Sequence, residues 1–373
     1  MTEKHFTGAR KDPKDKRDLI YEDLVLGAPE IDWEKGFDIR DAIGSDIEIK
    51  NQGSTSSCVG QGWSYYVWVL QVLEMMKTHG CTLDQLKRLR PDEVDQISAK
   101  AIYSQIFLKS GGAYIRSGGK LIADWGSVFG QVVPSYKPGG KLPTETFMRD
   151  KTWKVDAVDN IAKILKGKEY RLLKGSDDMD LFAQAIQQNN GVVGGVIGSN
   201  GRGWSEERPK PPQKGDKTWG HCIFYGAFGQ DDFGKFIATP NSWGNKVKQK
   251  WTKGAKPGTG WQKLYADYFT TAHQFNPWTY TDIPNAIEVK PDIDPIPKPK
   301  PMTHKYLRLF KTKGTDTIYA IGKDNKRYWI TNSYSFNKGK EMGIWGDWTD
   351  IKEIPATLVK QFPKGTPISF LNI

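Results

Sequence analysis

A cysteine, a histidine and an asparagine stand in chain order where a thiol nucleophile and its base could be assembled: Cys58, His221 and Asn241. Attack by sulfur needs a thiolate at working pH. A thiol in the first turn of a helix gains from the free N–H groups there and from the positive end of the helix dipole. A neighbouring imidazole completes the ion pair. Cys58 follows the run Gly53-Ser54-Thr55-Ser56-Ser57 and precedes a helical pattern, so it sits where such a helix should begin. His221 opens an apolar strand after Trp219-Gly220, and Asn241-Ser242-Trp243-Gly244 closes the next one. As antiparallel neighbours these strands would set Asn241 beside the His221 ring. The amide oxygen would accept from one ring nitrogen, fix the tautomer and turn the other nitrogen to sulfur. Trp243 could shield that hydrogen bond or simply pack.

The other cysteines are weaker candidates. Cys222 adjoins His221 in a strand, so their side chains take opposite faces. Cys81 follows the helix, at its negative end, where a thiolate is disfavoured. Both read as small buried hydrophobes. His79 and Cys81 offer two metal ligands without a second pair, so no metal is expected, and no cofactor either.

The elements that must position these residues are legible as periodicities. Val59, Trp63, Tyr66, Val67, Leu70, Leu73 and Met76 recur at three- and four-residue steps, the mark of one apolar helix face. Ser56 or Ser57 suits its N-cap and Gly80 its stop. Further helices are expected over Ile97 to Leu108 and Lys120 to Phe129. After about residue 188 the character turns to strands: Gly191 to Ile197, His221 to Phe228, Lys235 to Thr239 and Gly260 to Tyr265. A helical first half and a β-rich second half make an α+β domain over residues 40–282. Residues 1–39 are charged and irregular and read as an arm lying on it. Residues 283–302 form a Pro-rich, semi-rigid linker. Residues 303–373 read as a small all-β module, with strands at Tyr306 to Phe310, Thr317 to Ile321 and Arg327 to Thr331.

Composition narrows the class. The chain has 373 residues, long for one domain, with 38% hydrophobic and 26% charged residues, as in ordinary globular proteins. No apolar run is long enough to span a bilayer. The polar start Met1-Thr2-Glu3-Lys4-His5 shows no secretory signal, so the location is cytoplasmic by default, with a place in a virus particle as the alternative. Three cysteines argue against a disulfide framework. A net charge of +11 favours acidic partners or simply solubility. No Walker motif, zinc-finger spacing or RNA-binding signature accompanies it, so no specific nucleic acid is expected.

Around these residues the chain resembles the papain-like cysteine peptidases. The run Asn51-Gln52-Gly53-Ser54-Thr55-Ser56-Ser57-Cys58 matches the family's Asn-Gln-Gly, three residues, Ser-Cys. Gly220-His221 matches its Gly-His strand start, and Asn241 to Gly244 its Asn-Ser-Trp-Gly. Gly118-Gly119, before a helix with Trp125, resembles the glycine pair that lines the substrate backbone, and Gly258 to Leu264 the closing glycine-rich strand. The resemblance spans roughly residues 40 to 270. It implies a helical lobe and a β-barrel-like lobe with a cleft between them. It implies hydrolysis of peptide bonds through an acyl thioester, with Cys58, His221 and Asn241 catalytic. Gln52 and the Cys58 N–H would form the oxyanion hole, and Gly118, Gly119 and Trp243 would meet substrate. The sequence departs from the family at Val59, where tryptophan is usual, and at Pro240. The family's disulfides are missing. No segment long enough for an inhibitory propeptide precedes residue 40, so none is expected.

Two rival readings stand beside this one. One is a structural or binding protein that reuses the fold without catalysis. The other is an amidase acting on cell-wall peptides, which suits the basic charge. In the C-terminal module Trp329, Trp345 and Trp348 could build a small core or present an aromatic platform to a surface or polymer ligand.

Overall fold

The computed structural model describes residues 8–24, 30–91, 94–244 and 260–282 and most of 306–368. Two compact units divide the chain, residues 1–289 and 290–373. The Pro-rich linker lies outside the described residues, as does Gly258.

The first unit opens with strands β1 (Ala9–Arg10) and β2 (Phe37–Asp38) and helix α1 (Ile39–Ile43). Its helical part comprises α2 (Cys58–His79), α3 (Leu83–Leu89), α4 (Ala99–Ile106), α5 (Ile115–Asp124), α6 (Glu145–Arg149) and α7 (Asp156–Ala162), with β3 (Ala113–Tyr114) before α5. The β-rich part comprises β4 (Glu169–Leu172), α8 (Met179–Asn189), β5 (Val192–Ser199), β6 (Thr218–Tyr225), β7 (Ala227–Asp231), β8 (Gly234–Pro240), β9 (Trp261–Tyr265) and β10 (Gln274–Asp282).

Helix α2 is the axle of the unit. Gly80 ends it in the left-handed region at φ 58°, as its lack of a Cβ allows. The apolar stripe read from the sequence understates its burial. Gln61, Ser64 and Gln71 are buried along with Trp63, Tyr66 and Val67, so the helix is enclosed rather than laid on a surface. Trp63, Tyr66 and Phe224 continue its packing into β6. Helix α5 begins five residues earlier than the periodicity predicts and stops at Asp124, because Gly126 turns with φ 105° against the Ala162 carbonyl.

Two four-stranded sheets follow, in the orders β4-β10-β5-β6 and β2-β7-β8-β9. They do not close into a barrel. The strand expected over His221 to Phe228 is two strands, one in each sheet. The break falls at Gly226, where a Cβ would lie 2.8 Å from Phe224 and 2.9 Å from Ile39. Consequently His221 on β6 and Asn241 after β8 are not carried by paired strands, contrary to the antiparallel expectation. They meet across the packing of one sheet on the other.

The second unit has a sheet in the order β13 (Arg327–Ile330), β12 (Ile318–Gly322), β11 (Tyr306–Thr312), β14 (Lys352–Ile354). It is not all-β. Helix α9 (Ser333–Glu341) lies after β13, and its Phe336 packs with Trp345 in a small core. The Ser-, Asn- and Lys-rich sequence of α9 conceals it, since burial rests on few residues. Trp345 is buried, whereas Trp329 and Trp348 are 44% and 42% exposed. Among the described residues no helix is long and apolar enough to cross a membrane, and no cluster of His, Cys, Asp or Glu is placed to hold a metal.

Candidate active site

Cys58 is the first residue of α2 and is fully buried. The loop before it is folded on itself. Gly53 takes φ 57°, its N–H donates to Asn51 Oδ1 at 2.9 Å, and Thr55 Oγ1 donates to the Gln52 carbonyl at 2.7 Å. Ser57 is the N-cap without a side-chain cap, its hydroxyl being paired with Thr55 Oγ1 at 2.7 Å. Backbone N–H groups of Cys222, Gly8, Val59 and Ala9 lie around the sulfur and favour its charged form. Burial nevertheless dominates and pushes the Cys58 thiol above its ordinary range. In this form, therefore, desolvation outweighs the helix dipole that the sequence favours.

His221 is paired with Val196 in the β5–β6 register and is buried. Its Nε2 lies 3.0 Å from Asn241 Oδ1. The proton assignment follows from a chain of hydrogen bonds. Gln262 Nε2 donates to the carbonyls of Trp204 and Glu206, each at 2.9 Å, which makes Gln262 Oε1 the acceptor. Asn241 Nδ2 donates to that oxygen at 2.8 Å, so Asn241 Oδ1 must accept. His221 Nε2 therefore carries a proton, and Nδ1 is the ring's other nitrogen. Trp243 stacks on the imidazole at 4.8 Å between centroids, with Trp204 and Trp219 edge-on at 6.2 Å each.

Gln52 is fully buried beside this pair. Its N–H donates to the Ser242 carbonyl at 2.8 Å, and its Oε1 accepts from Ser242 Oγ at 2.6 Å. Nε2 is thereby the donating end, and it reaches the Thr55 carbonyl at 2.8 Å. Gln52, Asn241 and His221 thus share one network through Ser242, and the residue after His221 touches the Cys58 sulfur.

Of the residues expected from sequence to meet substrate, Trp243 lies at His221 and the two glycines pack on helix α2. Gly118 and Gly119 lie inside α5, where added Cβ atoms would strike the Trp63 ring at 2.2 and 3.0 Å. They let α5 approach α2. A Gly118→Val variant should lose about 1–3 kcal/mol of stability, seen as a lower melting temperature, because Trp63 has no room to yield. Trp243 is 5% exposed and covers His221. Sequence reasoning missed Gln262 and Trp204. The available signal was a glutamine in Trp261-Gln262-Lys263-Leu264-Tyr265, a strand buried on both faces, where an amide needs partners. Changing Gln262 to Leu should lower turnover about tenfold with little change in KM, less than the roughly 10²–10⁴ that loss of a general base costs.

The N-terminal arm occupies the groove over Cys58. Strand β1 pairs in parallel with β3, Ala9 opposite Ala113, and Ala113 N–H donates to the Gly8 carbonyl at 2.8 Å. The arm's backbone passes so close that a Cβ at Gly112 would meet Gly8 O at 1.9 Å, and one at Gly220 would meet Ala9 O at 2.6 Å. Asp12 anchors the strand's exit. Its carboxylate accepts from Trp278 Nε1 at 2.9 Å and from Arg116 N–H at 3.1 Å, and its own N–H donates to Asn276 Oδ1 at 2.8 Å. Arg116 then grips Asp18 at 2.7 Å. The arm that the sequence lays on the domain thus passes beside Cys58.

No family model and no curated protein matches the chain. Solved structures do. Xylellain, a cysteine protease from Xylella fastidiosa, superposes with a TM-score of 0.53 at 19% identity, over 74% of this chain and 96% of that one. The digestive procathepsin L2 proteinase of Tenebrio molitor larval midgut gives 0.50 at 18% identity, over 74% and 78%. At such identities the likeness speaks to the fold. The first unit of this chain has the papain-like cysteine protease fold.

Proposed function

We propose that the chain is a cysteine peptidase, folded here in a latent form with its own arm in the groove. One observation carries the proposal. A cysteine at a helix start has its sulfur against the backbone of Cys222, while the preceding His221 is held through Nε2 by a fully oriented asparagine.

The chemistry follows from those assignments. His221 Nδ1 takes the proton of Cys58, and the thiolate attacks a peptide carbonyl carbon. The carbonyl oxygen becomes an oxyanion facing the Cys58 N–H and Gln52 Nε2. Donors of this kind contribute about 3 kcal/mol each in the transition state. Return of the proton from His221 to the leaving nitrogen breaks the C–N bond and leaves a thioester. Water, deprotonated by the same nitrogen, then releases the acid and restores the thiol. Gly112 and Gly220, which now face the arm's backbone, give an extended substrate the same close approach.

The test is labelling by an epoxide or iodoacetamide after the arm has been cut or displaced. Rapid modification of Cys58 near neutral pH that depends on His221, together with hydrolysis of a fluorogenic peptide library, supports the proposal. Labelling no faster than that of a free thiol, with no hydrolysis, would identify a structural protein that reuses the fold.

A further inference from the structure

A cavity of about 550 Å³ lies apart from the groove, lined by Lys50, Glu48, Gln61, Asp95, Gln96 and Tyr136 among others. Its volume falls within the range of small-molecule sites. Its floor holds a buried amine. Lys50 is 6% exposed, and its Nζ donates to Ser64 Oγ at 2.6 Å and to the Ile97 carbonyl at 3.1 Å. The amine also sits 5.0 Å above the Tyr65 ring. An ammonium has three protons to give, and among the described residues these two acceptors are its partners. Burial draws the Lys50 pKa down to about 7, against the pull of Glu48 and Asp95, so the amine gains charge readily when an anion arrives.

The opposite need exists in the same cavity. Gln96 Oε1 is buried with no hydrogen-bond partner among the described residues. A buried acceptor left so costs about 1–3 kcal/mol, which an entering donor would recover. Glu48 and Asp95, which also line the cavity, favour a donor that carries positive charge. One cavity is therefore lined by a group that asks for an anionic acceptor and by groups that ask for a cationic donor.

We propose that this cavity is a second binding site, taking a small zwitterion with a free α-carboxylate on Lys50 and a free ammonium among Gln96, Glu48 and Asp95. Free amino acids and short peptides have that chemistry, and they are what peptide hydrolysis releases. The site adjoins the catalytic loop by construction. Tyr136 OH accepts from Asn51 N–H at 2.8 Å, and Lys50 is two residues from Gln52. An occupant held by Lys50 and Tyr136 thus bears on the segment that carries Gln52. This link to turnover rests on the peptidase reading, but the site itself does not.

The experiment is calorimetry on the full chain carrying Cys58→Ala, titrated with the dipeptide alanyl-leucine and with its N-acetylated and C-amidated forms. Saturable binding of the free dipeptide is expected, with a loss of about tenfold or more when either terminus is blocked, the usual effect of removing a charged hydrogen bond. Lys50→Met should weaken the free dipeptide most. Glu48→Gln, at an exposed side chain that folding does not need, should weaken it while sparing the N-acetylated form's dependence on Lys50. No saturable binding, or binding indifferent to both variants and to blocking, overturns the proposal. Because the titrated protein is inert, that failure leaves the peptidase reading untouched, and failure of the peptidase reading leaves the titration interpretable.

Discussion

Replacing Cys58 by alanine should abolish peptide turnover while leaving the melting temperature within a degree or two of the parent. The loss expected for removing a covalent nucleophile is on the order of 10⁴-fold or more, with the remainder coming from binding and the oxyanion donors. The small structural cost has a geometric basis. The sulfur lies against the backbone of the arm and of Cys222, and none of these elements needs it for its own pairing. His221→Ala should bring a loss of the same order, since the two act as a unit, and the double variant should be little worse than either alone. Hydrolysis of a fluorogenic peptide by arm-released protein is the measurement. Turnover by the Cys58→Ala protein at the parent's rate would remove the chemistry proposed here.

The second large effect concerns the arm. Gly8 fits because it has no side chain; a Cβ there would lie 2.3 Å from the Ser56 carbonyl and 2.8 Å from Gly112. Gly8→Val should therefore lift residues 8–12 out of the groove without touching Cys58, His221, Asn241 or Gln52. Rehydration of the sulfur should follow, and with it a lower thiol pKa, because burial is what raises it. Alkylation of Cys58 should accelerate by an estimated factor of about 10 or more at neutral pH, since one pKa unit is tenfold in thiolate. Peptide hydrolysis should rise in parallel. Equal alkylation rates in the two proteins would show that the arm does not guard the sulfur.

The arm's grip should also depend on pH. Burial raises the Asp12 carboxyl to about 6, although Trp278 Nε1, the N–H groups of Arg116 and Ile115 and the Arg116 guanidinium all work to lower it. A carboxyl whose pKa is higher when docked holds the arm best when protonated. That contribution is complete below the ordinary value of 3.8 and fades as pH rises through about 6. Alkylation, corrected for the thiolate fraction, should therefore increase between pH 4 and 6, and Asp12→Asn should flatten the rise. Surface pairs such as Arg17–Asp15 add little to this, being exposed and screened.

Much of the site was legible because its chemistry needs particular residue types at particular local positions. A cysteine after a Gly/Ser loop and before a long apolar periodicity marks a thiol at a helix start, and α2 begins at Cys58. The strand bearing His221 and the turn bearing Asn241 show as apolar runs bounded by glycine and by Pro240. The division between the two compact units, at residues 289 and 290, falls in the Pro-rich stretch of the sequence. These signals are local, and a single sequence carries local signals well.

Tertiary structure decided the rest. Whether His221 and Asn241 sit on paired strands depends on where the chain crosses from one sheet to the other, and only the space around Gly226 fixes that crossing. The tautomer of His221 depends on Gln262, which lies 41 positions further along the chain and is joined to it through Asn241. Gly118 and Gly119 matched a substrate-lining pair by type, yet the Trp63 ring packed against them gives them a different task. The charged arm reads from sequence as lying on the domain, and its seat over Cys58 appears only when Gly8, Gly112 and Gly220 are brought face to face. Each of these is a contact between residues distant in the chain, and such contacts are set by the whole packed unit rather than by the pattern of any one segment.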